Sequence, residues 1–126
     1  MTVKIFRGKV IKGEGWGSLI GFPTANLDKK NLSGPRLPAG VYACYVRVGS
    51  GGNCYKGLTI AGVKSFFKDN GSKLEIYILD FKKKIVGKFL EVEIVKKLRP
   101  IKKFANTEEL VKQASADESA ARQILK

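Results

Sequence analysis

The sequence contains no histidine, and of its 126 residues only two are cysteine, one is methionine and one is tryptophan. Without imidazole there can be no Ser-His or Cys-His nucleophile, no His-ligated zinc and no histidine base, so acid–base chemistry falls to a carboxylate, lysine or tyrosine. Cys44 and Cys54 lack close metal-ligand spacing and read as two reduced, partly buried thiols rather than a disulfide. No long apolar run is present, and Met1 is followed by Thr2-Val3-Lys4 rather than a signal-peptide pattern, so a cytoplasmic protein with no membrane attachment is expected. Acidic residues are also scarce. Against 24 Lys and Arg there are 11 Asp and Glu, giving a net charge of +13. Such an excess favours an anionic partner, a nucleotide or a nucleic acid. The basic residues cluster at Lys82-Lys83-Lys84, Lys96-Lys97-Arg99 and Lys102-Lys103, runs that read as solvated turns or edge strands.

The length fits a single domain, residues 1–126, with enough chain to bury a core unaided. Segments rich in β-branched and aromatic residues, each ending near Gly, Pro, Asn or Asp, predict strands over residues 3–12, 40–48, 54–61, 73–81 and 88–98. Loops are predicted over 27–39, 49–53 and 69–72. The connections are too short for crossover helices, so the sheet should be antiparallel. Five or six strands in so small a chain suggest a closed or nearly closed Greek-key barrel, which leaves no exposed edge. After residue 104 the period changes. Leu110, Ala114, Asp117, Ala121, Ile124 and Leu125 recur at helical spacing behind Asn106, with Glu109 three residues on, which predicts an amphipathic helix over about 107–125. Its apolar stripe should pack on the barrel, with Lys112, Gln113, Glu118 and Arg122 forming the polar face.

Three segments could carry chemistry. In Gly13-Glu14-Gly15-Trp16-Gly17-Ser18-Leu19-Ile20-Gly21-Phe22-Pro23-Thr24-Ala25-Asn26, glycines let backbone approach a polyphosphate, and Pro23 fixes φ so that Thr24 and Asn26 project to one side. A hydroxyl and an amide oxygen suit a magnesium ion that bridges phosphates and keeps several waters. The segment is neither a P-loop nor a dinucleotide fingerprint. In Leu74-Glu75-Ile76-Tyr77-Ile78-Leu79-Asp80-Phe81, strand alternation places Leu74, Ile76 and Ile78 on one face and Glu75, Tyr77 and Leu79 on the other. Alone, Glu75 reads as an outward-facing carboxylate; beside a nucleotide it could take a proton from an attacking hydroxyl. In Leu98-Arg99-Pro100-Ile101-Lys102-Lys103-Phe104, Arg99 offers a planar fork for phosphate and Phe104 an apolar surface, on what otherwise reads as a charged turn.

In their order these motifs resemble the riboflavin kinase (flavokinase) family, which includes the C-terminal half of bacterial bifunctional FAD synthetases. The resemblance runs from about residue 7 to 122. It is carried by Gly21-Phe22-Pro23-Thr24-Ala25-Asn26-Leu27, Leu37-Pro38-Ala39-Gly40-Val41-Tyr42-Ala43, the Leu74 to Phe81 strand, Val86-Gly87, Leu98-Arg99-Pro100 and Lys103-Phe104. It implies a six-stranded antiparallel barrel with a C-terminal helix, and transfer of the γ-phosphoryl of ATP to the ribityl 5′-hydroxyl of riboflavin, giving FMN and ADP. By motif position Thr24 and Asn26 would engage Mg²⁺ and the phosphates, and Glu75 would be the general base. The loop carrying Gly13, Gly15, Gly17, Ser18 and Gly21 would close over the nucleotide against Pro23, while Arg99 and Phe104 would border the flavin. Residues 60–67, Ile-Ala-Gly-Val-Lys-Ser-Phe-Phe, depart from the family's Asn-Ile-Gly-x-x-Pro-Thr-Phe. Trp16 and Ser18 stand where Arg is common, and Ile101 replaces a frequent acidic residue. Without a nucleotidyltransferase half the chain is expected to make FMN but not FAD, as a monomer acting on small molecules. Two other readings stay open: a basic barrel binding single-stranded nucleic acid through Tyr42, Tyr45, Tyr55 or Phe66, and a flavin-binding barrel without kinase activity.

Overall fold

The computed structural model describes residues 4–12, 24–28, 31–35, 37–49, 51–64, 72–81 and 83–126. Six strands, β1 (Lys4–Ile11), β2 (Ala25–Leu27), β3 (Gly40–Val48), β4 (Cys54–Lys64), β5 (Ser72–Ile78) and β6 (Phe89–Arg99), precede one helix, α1 (Thr107–Ile124). They close into an antiparallel barrel in the order β1-β2-β5-β4-β3-β6. The connections β2 to β3 and β5 to β6 therefore join strands that are not neighbours, as the Greek-key expectation requires.

Alternation decides what each strand buries. Phe6, Val10, Leu27, Cys44, Val46, Ile76, Ile78, Leu90 and Val92 point inward and form the barrel core. Val41, Ala43, Leu58 and Leu79 point outward and are covered by Ala121 and Leu125 at the end of the chain, with Ile60, Tyr77, Leu98 and Ile124 packed around them. The barrel thus has an apolar core and one apolar outer face that only the helix can bury. In the core, Thr59 Oγ1 donates to Cys44 Sγ at 3.2 Å. Burial pushes the Cys44 thiol up to about 12, so it stays protonated and inert. Both cysteines are free, but Cys54 is exposed, which corrects the expectation that it is partly buried.

Three departures from the sequence reading exceed a one-residue shift. Strand β4 runs to Lys64 because a bulge between Ala61 and Val63 lets pairing with β5 continue. Gly62 sits in that bulge at φ +91°, and a Cβ there would lie 2.6 Å from Ala39 Cβ. Its place in the divergent segment 60–67 therefore has a backbone cause. Strand β5 ends at Ile78 rather than residue 81, because Asp80 turns into the left-handed region at φ 57°. That conformation suits a short polar side chain. Strand β2 is not among the strands the pattern predicts, and it ends at Leu27, where a loop is expected to open; its residues pair with β1 and β5 and close the barrel.

The helix begins as expected. Asn106 is its N-cap and accepts from the Glu109 backbone N–H at 2.9 Å, while Glu109 accepts from the Ala105 N–H. Its expected polar face, however, is largely engaged. Glu118 accepts from the Tyr77 hydroxyl at 3.1 Å, Arg122 forks onto both oxygens of Asp80 at 3.0 Å, and Gln113 donates to Asp117. The Arg122 guanidinium holds the Asp80 carboxyl below its ordinary range. Polar and apolar contacts together clamp the second half of α1 onto the outer face. The described lysines of the three basic clusters, Lys83, Lys84, Lys96, Lys97, Lys102 and Lys103, are exposed. Because the barrel is closed, they do not guard a free edge.

Candidate active site

Closing the barrel through β2 brings the phosphate motif and the lone carboxylate together. Asn26 is the Cα partner of Glu75 across the β2–β5 pairing, so their side chains share the outer face. Thr24, two residues earlier, lies on that face too, and its Oγ1 donates to Glu75 Oε1 at 3.1 Å. Residues 51 positions apart thereby form one constellation. Asn26 is only 8% exposed, while Thr24 and Glu75 are half-buried. Inward-facing neighbours hold all three in place: Leu27 on β2 and Ile76 on β5 are anchored in the core.

Read outward from the strand register, one row crosses the sheet as Ile11, Asn26, Glu75, Ile60, Val41 and Arg99. Neighbouring strands are about 4.8 Å apart, so Arg99 stands roughly 14 Å along the sheet from Glu75. The Arg99 guanidinium is not a free fork. Nε donates to both carboxylate oxygens of Asp117 at 2.9 and 3.1 Å, Nη2 donates to Oδ2 at 2.8 Å, and Nη1 donates to the Pro100 carbonyl at 3.0 Å. Phe104 lies with its ring centroid 5.9 Å from the Arg99 guanidinium carbon, so these two residues do meet. Gly13, Gly15, Gly17, Ser18, Gly21 and Pro23 lie outside the described residues, as does Phe66.

At the other end of the row an apolar ledge went unnoticed in the sequence. Ile11, the partner of Asn26, is 41% exposed, and Val86 and Phe89 are 64% and 51% exposed. The turn carrying Val86 is tied to β1 by the Gly87 N–H donating to the Val10 carbonyl, and Phe89 pairs with Lys9. A sequence signal was present: large apolar residues flanking a glycine turn in a lysine-rich stretch. Asp117 was also passed over, although it is the one charged member of the helix's apolar stripe, which calls for a buried partner.

No group of three or more Cys, Asp or Glu side chains converges on a point among the described residues, so an all-protein metal cage is absent there. The donor set fits a more loosely held ion. The Thr24 hydroxyl directs its proton at Glu75, which leaves its oxygen lone pairs available, and Asn26 adds an amide oxygen. A hydroxyl and an amide suit Mg²⁺, which keeps waters and takes its remaining ligands from a nucleotide.

The chemistry of this site agrees with comparisons to known proteins. The family model described as flavokinase, riboflavin kinase, matches residues 3–125. The bifunctional riboflavin kinase/FMN adenylyltransferase of Listeria monocytogenes is 38% identical over 118 residues, which make up 92% of this chain and 36% of the relative. The chain thus spans little more than a third of that protein. Among solved structures, a Streptococcus pneumoniae chain named as a macrolide-efflux protein superposes at a TM-score of 0.81 with 32% identity, covering 94% of this chain and 38% of that one. The riboflavin kinase of Trypanosoma brucei superposes at 0.68 with 19% identity over 99% and 78% of the two chains, a likeness of fold. In the present chain no helix among the described residues is long and apolar enough to cross a membrane. With a matched family model over nearly its whole length, the chain belongs to the riboflavin kinase family.

Proposed function

We propose that this chain transfers the γ-phosphoryl of ATP to the 5′-hydroxyl of riboflavin, giving FMN and ADP. The observation that carries the reading is the convergence of Thr24, Asn26 and Glu75 on one outer patch of the barrel, with Thr24 hydrogen-bonded to the carboxylate. Phosphoryl transfer asks for alignment and charge neutralisation more than for covalent chemistry, so this small set is sufficient.

The row across the sheet gives the reaction a direction. The Ile11, Val86 and Phe89 ledge beside Asn26 offers apolar surface to the purine, placing the phosphates over Thr24 and Asn26. The acceptor approaches from the opposite side, its ribityl chain at Glu75 and its ring system toward Arg99 and Phe104. Mg²⁺, when bound by Thr24 and Asn26 together with the phosphates, would neutralise charge on the transferred group. Glu75 holds the acceptor hydroxyl by accepting its hydrogen bond and takes the proton as the new P–O bond forms, while the bond to the ADP oxygen breaks. The loop 13–21 and Pro23 complete the nucleotide site in this proposal. Exposed lysines draw anionic nucleotide toward the molecule. Two free thiols support a reducing, cytoplasmic setting, and we take the acting form to be a monomer working on small molecules.

Incubation with riboflavin, ATP and Mg²⁺ should yield FMN, resolved by chromatography; riboflavin binding without FMN would leave the non-catalytic barrel standing. Thr24→Ala is expected to weaken Mg²⁺-dependent ATP binding by about tenfold, the scale of one lost charge-assisted contact. Titration of ATP with and without Mg²⁺ measures it, and an unaltered metal response would remove Thr24 from the metal site.

A further inference from the structure

Arg99 and Asp117 form the most enclosed ion pair among the described residues, with side chains 19% and 8% exposed. The pair is more than a strap for the helix, because three residues of the loop between β6 and α1, Pro100, Lys102 and Phe104, are tied to it. The Pro100 carbonyl accepts from Arg99 Nη1, and Phe104 lies against the guanidinium. Lys102 Nζ donates to Gln113 Oε1 at 3.3 Å, while Gln113 Nε2 donates to Asp117 Oδ1 at 3.0 Å. Each of these three loop contacts leads back to one carboxylate. Asp117 accepts from Arg99 on both oxygens and from Gln113 on one, which leaves the acid little freedom to reorient.

The helix is well placed to act as the fixed side of this arrangement. Ala121, Ile124 and Leu125, just beyond Asp117, are set into the outer apolar cluster, and the neighbouring Glu118 is held by Tyr77. The first half of α1 is less committed, since Leu110, Val111 and Ala114 are only half-buried. Asp117 therefore stands at the junction between the anchored half of the helix and the loop.

We infer that Asp117 is a positioning residue for the acceptor: through Arg99 it sets the conformation of residues 100–104 and thereby the surface that Phe104 presents to riboflavin. The inference rests on the proposed placement of the flavin beside that loop. Asp117 touches neither substrate nor nucleotide in this arrangement; its effect reaches the acceptor through the guanidinium and the ring lying over it. A loop misplaced by about an ångström weakens binding and alignment of the group it holds, with losses of up to about 100-fold. A purely structural strap would instead lower stability and leave both Michaelis constants alone.

The test is steady-state kinetics of Asp117→Asn, Phe104→Ala and the double variant, with riboflavin and ATP varied separately. Asp117→Asn should raise KM for riboflavin about tenfold while KM for ATP and kcat at saturating riboflavin stay within about threefold, the pattern of lost acceptor binding. Phe104→Ala should raise the riboflavin KM as well, and adding it to Asp117→Asn should change little further, because both act through one loop. Fully multiplicative effects would overturn the inference, as would equal changes in both Michaelis constants. If Phe104→Ala raises the riboflavin KM and Asp117→Asn leaves it unchanged, the clamp is wrong while the flavin placement stands; if neither changes it, the placement itself falls. Should Asp117→Asn fail to fold, Gln113→Ala frees Lys102 without stranding a buried charge and should raise the riboflavin KM about threefold, an unchanged value again contradicting the inference.

Discussion

Glu75→Gln should lower the rate of FMN formation by about 100- to 10,000-fold while leaving ATP affinity near that of the parent protein. The substitution is close to isosteric, and the amide oxygen can still accept the hydrogen bond that Thr24 Oγ1 now gives to the carboxylate. The strand is unaffected, because Ile76 and Ile78 on the inner face carry its burial. What the amide cannot do is take up a proton. The chain has no histidine, and among the described residues the carboxylates of Asp80 and Asp117 are already engaged by Arg122 and Arg99. Single-turnover measurement isolates the chemical step from product release, and an unchanged single-turnover rate would remove Glu75 from the role of base.

Arg99→Ala should destabilise the fold by about 3–5 kcal/mol, the cost of leaving a buried carboxylate without its partner. This is a large share of the roughly 5–15 kcal/mol that holds a domain together. The asymmetry of the pair makes the direction clear. Arg99 is the more exposed partner and can turn toward water if Asp117 is neutralised, whereas Asp117 is fixed on the buried face of α1. The single arginine deletion should therefore be worse than Asp117→Asn, and Arg99→Ala combined with Asp117→Ala should recover part of the loss. Urea unfolding followed by circular dichroism measures all three. A loss below about 1 kcal/mol for Arg99→Ala would mean that the pair behaves as a solvent-screened surface contact.

Much of the site was legible because it depends on local pattern. The alternation around Glu75 separated Ile76 and Ile78 from Tyr77 on opposite faces, as found, and the cap signal at Asn106 located the helix start within about a residue. Strand β2 was not legible as a strand: three residues are too short for a period, and its pairing is imposed by β1 and β5 closing around it. Yet that pairing is what turns Thr24, Asn26 and Glu75 from separate motifs into neighbours. By its chemistry alone Arg99 could be a phosphate fork, and by motif position a border of the flavin; only the position of Asp117 across the helix interface reveals how its donors are spent. The helix's polar face misled for a similar reason, since Glu118 and Arg122 look solvent-facing by spacing but reach around the helix to Tyr77 and Asp80. Local propensity cannot encode such contacts, because their partners lie 41 and 42 residues away.

The most direct single measurement uses ATP labelled on its γ-phosphate, with riboflavin and Mg²⁺, followed by separation of the flavins. Label in FMN, appearing in step with ADP and only when all three components are present, is the expected result. ADP released without labelled FMN, or no turnover by a folded protein that still binds both ATP and riboflavin, would contradict the assignment of Thr24, Asn26 and Glu75 to one phosphoryl-transfer site.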